Sequence, residues 1–227
     1  MKKLVIIGAS SGIGKSILEK FKTTYEIIVI QRSASNVVHE NVSEFLLDVV
    51  HDDLSEIEKI DALIYCPGSI NLKPFGRMQL DDFKNDYEIN VLGAIKVLHK
   101  YLPVLKKSER PSVLLFSTVA VKMGMPFHSS VASAKGAVEG LVKSLAAEYA
   151  PAIRINAIAP TLTNTNLASK ILRNDKLKQV SADRHPLKRY LEPEEVADMA
   201  GFLISEKAAG LSGQIIEMDC GIVNLKI

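Results

Sequence analysis

The sequence predicts a doubly wound α/β fold, in which a mostly parallel sheet is covered by helices on both faces. Short apolar runs alternate with longer stretches of helical periodicity along the 227 residues. A glycine-rich turn joins the first apolar run to the first helical stretch. The apolar runs are continuous, which is typical of parallel strands that are buried on both faces of a sheet.

The predicted elements follow one another in a regular order. Strands are predicted at residues 4–7, 26–30, 45–49, 61–66, 112–117, 153–158 and 214–218. Helices are predicted directly after the glycine-rich turn, at residues 55–60, 80–106 and 130–150, and from residue 193 onward. Pro103 is expected to kink or break the long helix, whereas Pro193 suits the first position of a helix.

Composition limits the classes of function. With 227 residues, of which 47% are hydrophobic, the chain is expected to form one domain, residues 1–227, around one core. A net charge of +2 without a block of Lys or Arg argues against nucleic acid as a partner. No apolar run is long enough to span a membrane. We therefore expect neither nucleic acid nor a membrane as a partner.

Cysteine usage and the N-terminus bear on the compartment. Cys66 and Cys220 show neither the spacing of metal ligands nor a disulfide framework. The first predicted strand begins at residue 4, which leaves no room for a signal peptide. We therefore expect a reducing, cytoplasmic location and no metal site.

The glycine-rich turn predicts a site for phosphate groups. It consists of Gly8, Ala9, Ser10, Ser11, Gly12, Ile13 and Gly14. Glycines at such a turn allow a sharp bend, a close approach of the backbone to a phosphate, and close packing of helix on strand. The N–H groups at the start of the following helix, and its partial positive charge, favour an anion there.

The turn is compatible with two classes of nucleotide. Its G-x-x-x-G-x-G spacing fits a dinucleotide, but the segment from Ala9 to Ser16 also fits a relaxed P-loop of a nucleotide hydrolase. In that alternative Lys15 would contact phosphates, Ser16 would bind Mg²⁺, and Asp48 would be a metal ligand at a strand end. The turn by itself leaves both alternatives open.

Several further segments match one known family. They are the pair Asp48-Val49 after the third strand, the sequence Glu88-Ile89-Asn90-Val91, the run from Arg154 to Pro160, and C-terminal motifs at 186–189, 194–197 and 211–221. With the turn, they resemble the short-chain dehydrogenase/reductase superfamily along nearly the whole chain. The resemblance implies a Rossmann-type, seven-stranded sheet that binds a nicotinamide dinucleotide, and it sets the P-loop alternative aside.

The resemblance also implies which residues contact the cofactor. These are Gly8, Ser10, Ser11, Gly12, Ile13, Gly14, Arg32, Ser33, Asp48, Val49, Pro67, Gly68, Lys135, Pro160, Leu162, Thr163 and Thr165. In this family Asp48-Val49 would contact the adenine, and the loop after Pro160 would fix the nicotinamide amide.

Two residues at the end of the second strand favour NADP(H) over NAD(H). NAD sites commonly have a carboxylate there, which binds the ribose 2′-hydroxyl. Gln31 stands at this place and is followed by Arg32. A carboxylate would repel the 2′-phosphate of NADP(H), whereas a guanidinium binds it with two hydrogen bonds. The alternative is that Arg32 is only a solvent-exposed charge.

The proton-transfer residues depart from the family pattern. The family uses a Tyr four residues before a Lys on one helix, and a Ser on the preceding strand. Lys135 matches the Lys, but Val131 stands at the Tyr position and Thr118 at the Ser position. Because valine cannot donate a proton, we expect an atypical oxidoreductase that acts on a small carbonyl or enone. The alternative is an NADP(H)-binding regulatory or partner protein without activity.

Three other residues are candidates for catalysis. His128 lies seven residues before Lys135, where some enoyl reductases of the superfamily carry their Tyr, and an imidazole can act as acid or base. Thr118 retains a hydroxyl that can polarise a substrate oxygen. Asn90 would position a water beside Lys135. The structural alternatives are a polar loop residue, a strand threonine and an asparagine that bonds helix backbone.

Three weaker expectations complete the list. Ser129 and Ser130 are expected to cap the helix that follows them. Residues 166–189 contain seven Lys or Arg against two Asp, which favours an anionic substrate if this segment covers the site. The resemblance implies a homodimer or homotetramer that associates through the long helices.

Overall fold

The computed structural model describes residues 1–226, which form a single seven-stranded sheet. Its strands are β1 (Lys2–Ile7), β2 (Tyr25–Gln31), β3 (Val42–Leu46), β4 (Ala62–Tyr65), β5 (Ser112–Phe116), β6 (Arg154–Pro160) and β7 (Ile215–Met218). The strand order is β3-β2-β1-β4-β5-β6-β7, and neighbouring strands all pair in parallel. The predicted doubly wound, seven-stranded fold is confirmed.

Helices cover the sheet on both faces. They are α1 (Gly12–Phe21), α2 (Leu80–Tyr87), α3 (Gly93–Leu105), α4 (Ser129–Tyr149), α5 (Asp175–Asp183) and α6 (Pro193–Ile204). Successive strand residues point to opposite faces, so Val5 and Ile7 pack with α3 and α4, whereas Leu4 and Ile6 pack with α1 and α6. Each such side chain, when fully buried, contributes roughly 1.5–3 kcal/mol of hydrophobic free energy.

The long predicted helix is interrupted, but at a different place from the one expected. Residues 80–106 form α2 and α3 with a π-helical turn, Glu88–Leu92, between them, and α3 continues through Pro103 to Leu105. Tyr65 explains the position of the π-turn: its phenol donates a hydrogen bond of 2.6 Å to the Ile89 carbonyl. A Cβ at Gly93 would overlap this phenol oxygen, so any side chain at the first residue of α3 would displace the Tyr65 phenol.

Three other predictions need correction. The helix predicted at 55–60 does not form; this segment is too short to offset the cost of helix nucleation, and Ile57 and Ile60 are buried without it. The third strand was predicted at residues 45–49 but is observed at Val42–Leu46. Asp48 and Val49 therefore lie in the loop after β3 instead of forming the end of the strand. Helix α5 was not predicted, although Asn174 caps it by accepting a 2.9 Å hydrogen bond from the Leu177 N–H.

The strand order reverses between β1 and β4, which creates a crevice at the carboxyl ends of these strands. Across residues 1–226, no helix combines the length and apolar character needed to cross a membrane. The same residues contain no group of three or more His, Cys, Asp or Glu arranged to hold a metal ion.

Candidate functional site

A cleft of about 570 Å³ opens at the carboxyl ends of β1, β2 and β4. Doubly wound sheets bind their ligands at this reversal of strand order. Thirteen of the predicted cofactor residues line the cleft: Gly8, Ser10, Ser11, Gly12, Ile13, Gly14, Arg32, Ser33, Asp48, Val49, Pro67, Gly68 and Thr165. The chain therefore brings together residues that are separated by more than 150 positions in the sequence.

The glycines of the turn are each required by the geometry. Gly8 (φ +76°) and Gly12 (φ +56°) adopt the left-handed backbone conformation that other residues disfavour. A Cβ on Gly14 would overlap the carbonyl oxygen of Gly8, and a Cβ on Gly12 would lie 3.2 Å from Thr165 Cγ2. The turn therefore presents bare backbone to the cleft at the N-terminus of α1, where an anion is favoured.

Gln31 provides a direct test of whether the cleft fits a dinucleotide. Its Oε1 accepts a 3.0 Å hydrogen bond from the Ala9 N–H, which holds the side chain at the base of the turn. Its Nε2 is buried and, within the described part of the chain, has no hydrogen-bond partner. Leaving such a donor unpaired costs roughly 1–3 kcal/mol, so the site fits a ligand with an acceptor such as a ribose hydroxyl.

Arg32 stands at the mouth of the same cleft. Its side chain is 74% exposed, and its Nη1 lies 3.8 Å from Asp48 Oδ2. The Asp48 carboxylate also accepts a 2.9 Å hydrogen bond from the Val50 N–H, which fixes the loop after β3. An exposed ion pair of this kind contributes about 0–1 kcal/mol, so a phosphate can compete for the guanidinium.

Lys135 lies under the other end of the cleft. Its ammonium is buried and donates a 2.8 Å hydrogen bond to the carbonyl of Phe116, the last residue of β5. Burial lowers the pKa of Lys135 to about 8, against the opposing influence of Cys66 and Asp86. Burial also raises the pKa of the Cys66 thiol to about 12, which disfavours the nucleophilic thiolate at this position.

Asn90 and Lys135 converge beneath Gly68. Asn90 occupies the π-turn, a helix irregularity that often marks functional sites. Its Nδ2 donates to the Asp86 carbonyl (2.7 Å) and to Ser69 Oγ (3.0 Å), and its Oδ1 is buried without a partner among residues 1–226. A Cβ on Gly68 would lie 3.4 Å from Asn90 Oδ1 and 3.9 Å from Lys135 Nζ. An acceptor and a cationic donor therefore flank one small space.

Thr118 is close in sequence to Phe116, which accepts the hydrogen bond from Lys135, and Val131 precedes Lys135 on α4. Thr118 follows Phe116 by two residues, and its Oγ1 accepts a 3.3 Å hydrogen bond from the Ala120 N–H. That bond leaves the Thr118 hydroxyl proton for another acceptor. Val131 is 5% exposed on α4, one helical turn before Lys135, and is a buried apolar side chain.

His128 is bound to its own loop. Its Nδ1 lies 2.7 Å from the Pro126 carbonyl. Because a carbonyl only accepts, Nδ1 carries the proton, which leaves Nε2 as an acceptor in the neutral ring. Within residues 1–226, His128 makes no hydrogen bond with Lys135, Asn90 or Thr118.

The expectation that Ser129 and Ser130 cap α4 is wrong. His128 stands at the N-cap, Ser129 is the first helical residue, and the buried Ser129 hydroxyl has no partner in the described chain. Ser130 donates a 2.7 Å hydrogen bond to the Asp86 carboxylate, which is completely buried. Sequence reasoning missed Asp86; its only signal was an acidic residue one helical turn before Asn90.

The loop after β6 reaches the cleft with one of its predicted residues. Thr165 lines the cleft, whereas Pro160, Leu162 and Thr163 are not among its lining residues. The buried Thr163 hydroxyl donates a 3.0 Å hydrogen bond to the Thr161 carbonyl, which keeps it within the loop. The roles assigned to these three residues remain predictions.

The basic segment 166–189 contributes two of its seven cations to a second cleft. Arg173 and Lys178 line this cleft of about 850 Å³, together with Lys15 and Lys20 of α1. The expectation of an anionic substrate stays a prediction.

Comparisons with known proteins agree with this geometry. A family model described as "Enoyl-(Acyl carrier protein) reductase" matches residues 28–223. A 3-oxoacyl-[acyl-carrier-protein] reductase of Thermotoga maritima is 28% identical, and the alignment covers 98% of each chain. The ligand-free aldohexose dehydrogenase of Thermoplasma acidophilum superposes with a TM-score of 0.91 at 26% identity, covering 100% of this chain and 96% of the other. ElxO with NADP bound superposes with a TM-score of 0.88 at 25% identity over 99% of both chains.

Proposed function

Because the chain belongs to the short-chain dehydrogenase/reductase superfamily, we propose that it is an NADP(H)-dependent oxidoreductase that acts on a small carbonyl or enone substrate. The observation that carries the proposal is the cleft itself. The glycine-rich turn lies at one end, and Asn90 and Lys135 converge under Gly68 at the other. The NADP-bound structure of ElxO supports a nicotinamide cofactor for this fold.

The preference for NADP(H) is inferred from Gln31 and Arg32. The amide of Gln31 supplies an unpaired donor for a ribose oxygen and no negative charge that would repel a 2′-phosphate. Arg32 is exposed at the cleft mouth and can exchange its weak contact with Asp48 for a phosphate. Bidentate hydrogen bonds from a guanidinium to a phosphate are among the stronger polar contacts in proteins.

The bound cofactor would supply the hydride, and the residues of the chain would handle orientation and the proton. Lys135 would bind ribose hydroxyls with its ammonium, and Thr118 would polarise the substrate oxygen by donating a hydrogen bond to it. Since Val131 cannot deliver a proton, a water between Asn90 Oδ1 and Lys135 Nζ is the route that the geometry favours. His128 remains a second candidate; as a neutral ring it can accept a proton at Nε2, and it would need to be doubly protonated to donate one.

We also propose that the protein is a homodimer or homotetramer that associates through α2 and α3. Four large apolar side chains of this region are exposed: Leu80 (70%), Tyr87 (43%), Leu92 (50%) and Ile95 (40%). Exposed apolar patches mark protein–protein contacts, and these four side chains belong to consecutive helical elements. A cytoplasmic location stays a prediction.

Hydride turnover tests the proposed function. Wild-type protein is mixed with NADPH or NADH and a panel of ketones, quinones and enones, and cofactor oxidation is followed by absorbance. We expect turnover with at least one class and a preference for NADPH. If NADPH binds but no substrate class is reduced, Val131→Tyr is tested next, and ketone reduction that appears only in this variant supports the non-catalytic alternative. Turnover that survives unchanged in His128→Ala would eliminate His128 as the proton donor.

A further inference from the structure

A buried carboxylate lies directly behind the candidate active site. Asp86 is completely buried on α2. Its Oδ1 accepts hydrogen bonds from Ser69 Oγ (2.6 Å) and Asn71 Nδ2 (3.0 Å), and its Oδ2 accepts one from Ser130 Oγ (2.7 Å). A buried carboxylate is costly unless such donors compensate it, so this arrangement needs a reason.

The chemistry of these groups determines the direction of each hydrogen bond. An ionised carboxylate only accepts, so Ser69 must give its single hydroxyl proton to Asp86. Ser69 Oγ can then only accept from Asn90, which means that the NH₂ of Asn90, and not its carbonyl oxygen, faces Ser69. The second NH₂ proton of Asn90 goes to the Asp86 backbone carbonyl, which also only accepts.

We propose that Asp86 is a positioning residue: its side chain, through Ser69, acts together with its backbone carbonyl to hold the Asn90 amide in one orientation, so that Asn90 Oδ1 faces Lys135 across the space beneath Gly68. The role in turnover rests on the proposed function; the orientation itself does not. With both NH₂ protons of Asn90 committed, its free oxygen is the acceptor that flanks the ammonium. An acceptor and a donor around one small space suit a water or a ligand hydroxyl.

Two variants separate the contribution of shape from that of hydrogen-bond direction. In Asp86→Asn the new carbonyl can still accept from Ser69 and Asn71, while the new NH₂ faces Ser130. Ser130 Oγ lies 3.2 Å from the Asp82 carbonyl and can donate there instead. Asp86→Asn therefore preserves the orientation of Asn90. Ser69→Ala removes one hydroxyl and breaks the relay, while Asn71 and Ser130 remain as donors to the buried carboxylate.

The direct readout is hydrogen exchange of the Asn90 side-chain amide, measured by ¹⁵N NMR and assigned by the signal that Asn90→Asp loses. Wild type, Asp86→Asn and Ser130→Ala should show slow exchange, because Asn90 keeps both acceptors. In Ser69→Ala and Asp86→Leu the exchange rate should rise by about tenfold or more, as expected for the loss of one buried hydrogen bond. If Asp86→Leu fails to fold, Asp86→Ala is measured in its place, with the same expected rise in exchange.

The same variants are then tested for hydride turnover, with Gly140→Ala on the exposed face of α4 as the control. The rise in exchange in Ser69→Ala should be accompanied by a fall in kcat of about tenfold, with the NADPH dissociation constant little changed. Unchanged exchange in Ser69→Ala would overturn the proposal, and so would increased exchange with full kcat. If wild type reduces no substrate, the proposed function fails, while the exchange rates still decide whether Asp86 orients Asn90.

Discussion

The phenol of Tyr65 donates a 2.6 Å hydrogen bond to the backbone carbonyl of Ile89, the residue before Asn90. Tyr65 ends β4, and Ile89 lies in the π-turn between α2 and α3. This bond ties the irregular part of the helix to the carboxyl edge of the sheet. The position of Asn90 therefore depends on a contact between two elements that are distant in sequence.

Replacing Tyr65 with Phe should affect both stability and the site. The variant loses one buried hydrogen bond, so the free energy of unfolding should fall by about 1 kcal/mol in urea denaturation. Because Asn90 is then less firmly placed, hydride turnover should fall as well. Tyr101→Phe is the matched control, since the Tyr101 phenol donates a 2.8 Å hydrogen bond to the Ser55 carbonyl and neither residue lines the cleft. Equal turnover in the two variants would show that the Tyr65 bond serves stability alone.

Replacing Gly14 with Ala should abolish cofactor binding. The new methyl group would overlap the Gly8 carbonyl, and relief of that overlap has to distort the turn, at a cost of about 1–3 kcal/mol in unfolding free energy. Gly140→Ala meets open space on α4 and should be neutral or stabilising by up to about 1 kcal/mol. Urea denaturation and NADPH titration of both variants check this. NADPH affinity that survives in Gly14→Ala would rule out the turn as the phosphate site.

The low pKa of Lys135 predicts how stability depends on pH. Its folded pKa of about 8 lies below the ordinary value of 10.5, so between these values the unfolded chain binds more protons than the folded one. The contribution of Lys135 to unfolding free energy should therefore rise with pH through this window, by at most about 1.4 kcal/mol per pH unit.

Urea denaturation at pH values from 8 to 10.5 isolates this contribution. Lys135→Met should lack the rise, whereas Lys143→Met, an exposed lysine on the same helix, should keep it. Identical slopes for wild type and Lys135→Met would mean that the Lys135 ammonium is not destabilised by burial.

Cofactor preference should depend on Arg32. Removing its guanidinium in Arg32→Ala should weaken NADPH binding by about tenfold and leave NADH binding unchanged, because only NADPH carries the 2′-phosphate. Gln31→Asp should favour NADH by repelling that phosphate. Arg110→Ala, at an exposed arginine that precedes β5, is the control. Equal weakening for both cofactors would point to a general effect on the cleft instead of recognition of the phosphate.

The strands and the glycine-rich turn could be predicted because their signals are local. Continuous apolar runs mark buried parallel strands, and the backbone of the turn itself requires Gly8, Gly12 and Gly14. The carboxyl edge of the sheet follows from the strand order, so the location of the cleft could be inferred as well.

The interruption of the long helix and the role of Asp86 could not be predicted. The π-turn depends on the Tyr65–Ile89 bond, which forms only when β4 and the helix meet. An aspartate in a helix is usually exposed, and nothing local shows that Ser69 and Ser130 will enclose Asp86. Both features depend on tertiary contacts, and both determine the placement of Asn90.

The most direct test of the account is equilibrium binding of NADPH to the wild-type protein, measured by fluorescence titration. The account predicts saturable binding below millimolar concentration, with NADPH bound more tightly than NADH and with binding lost in Gly14→Ala. A wild-type sample that is folded by circular dichroism and yet retains neither cofactor at millimolar concentration would contradict it.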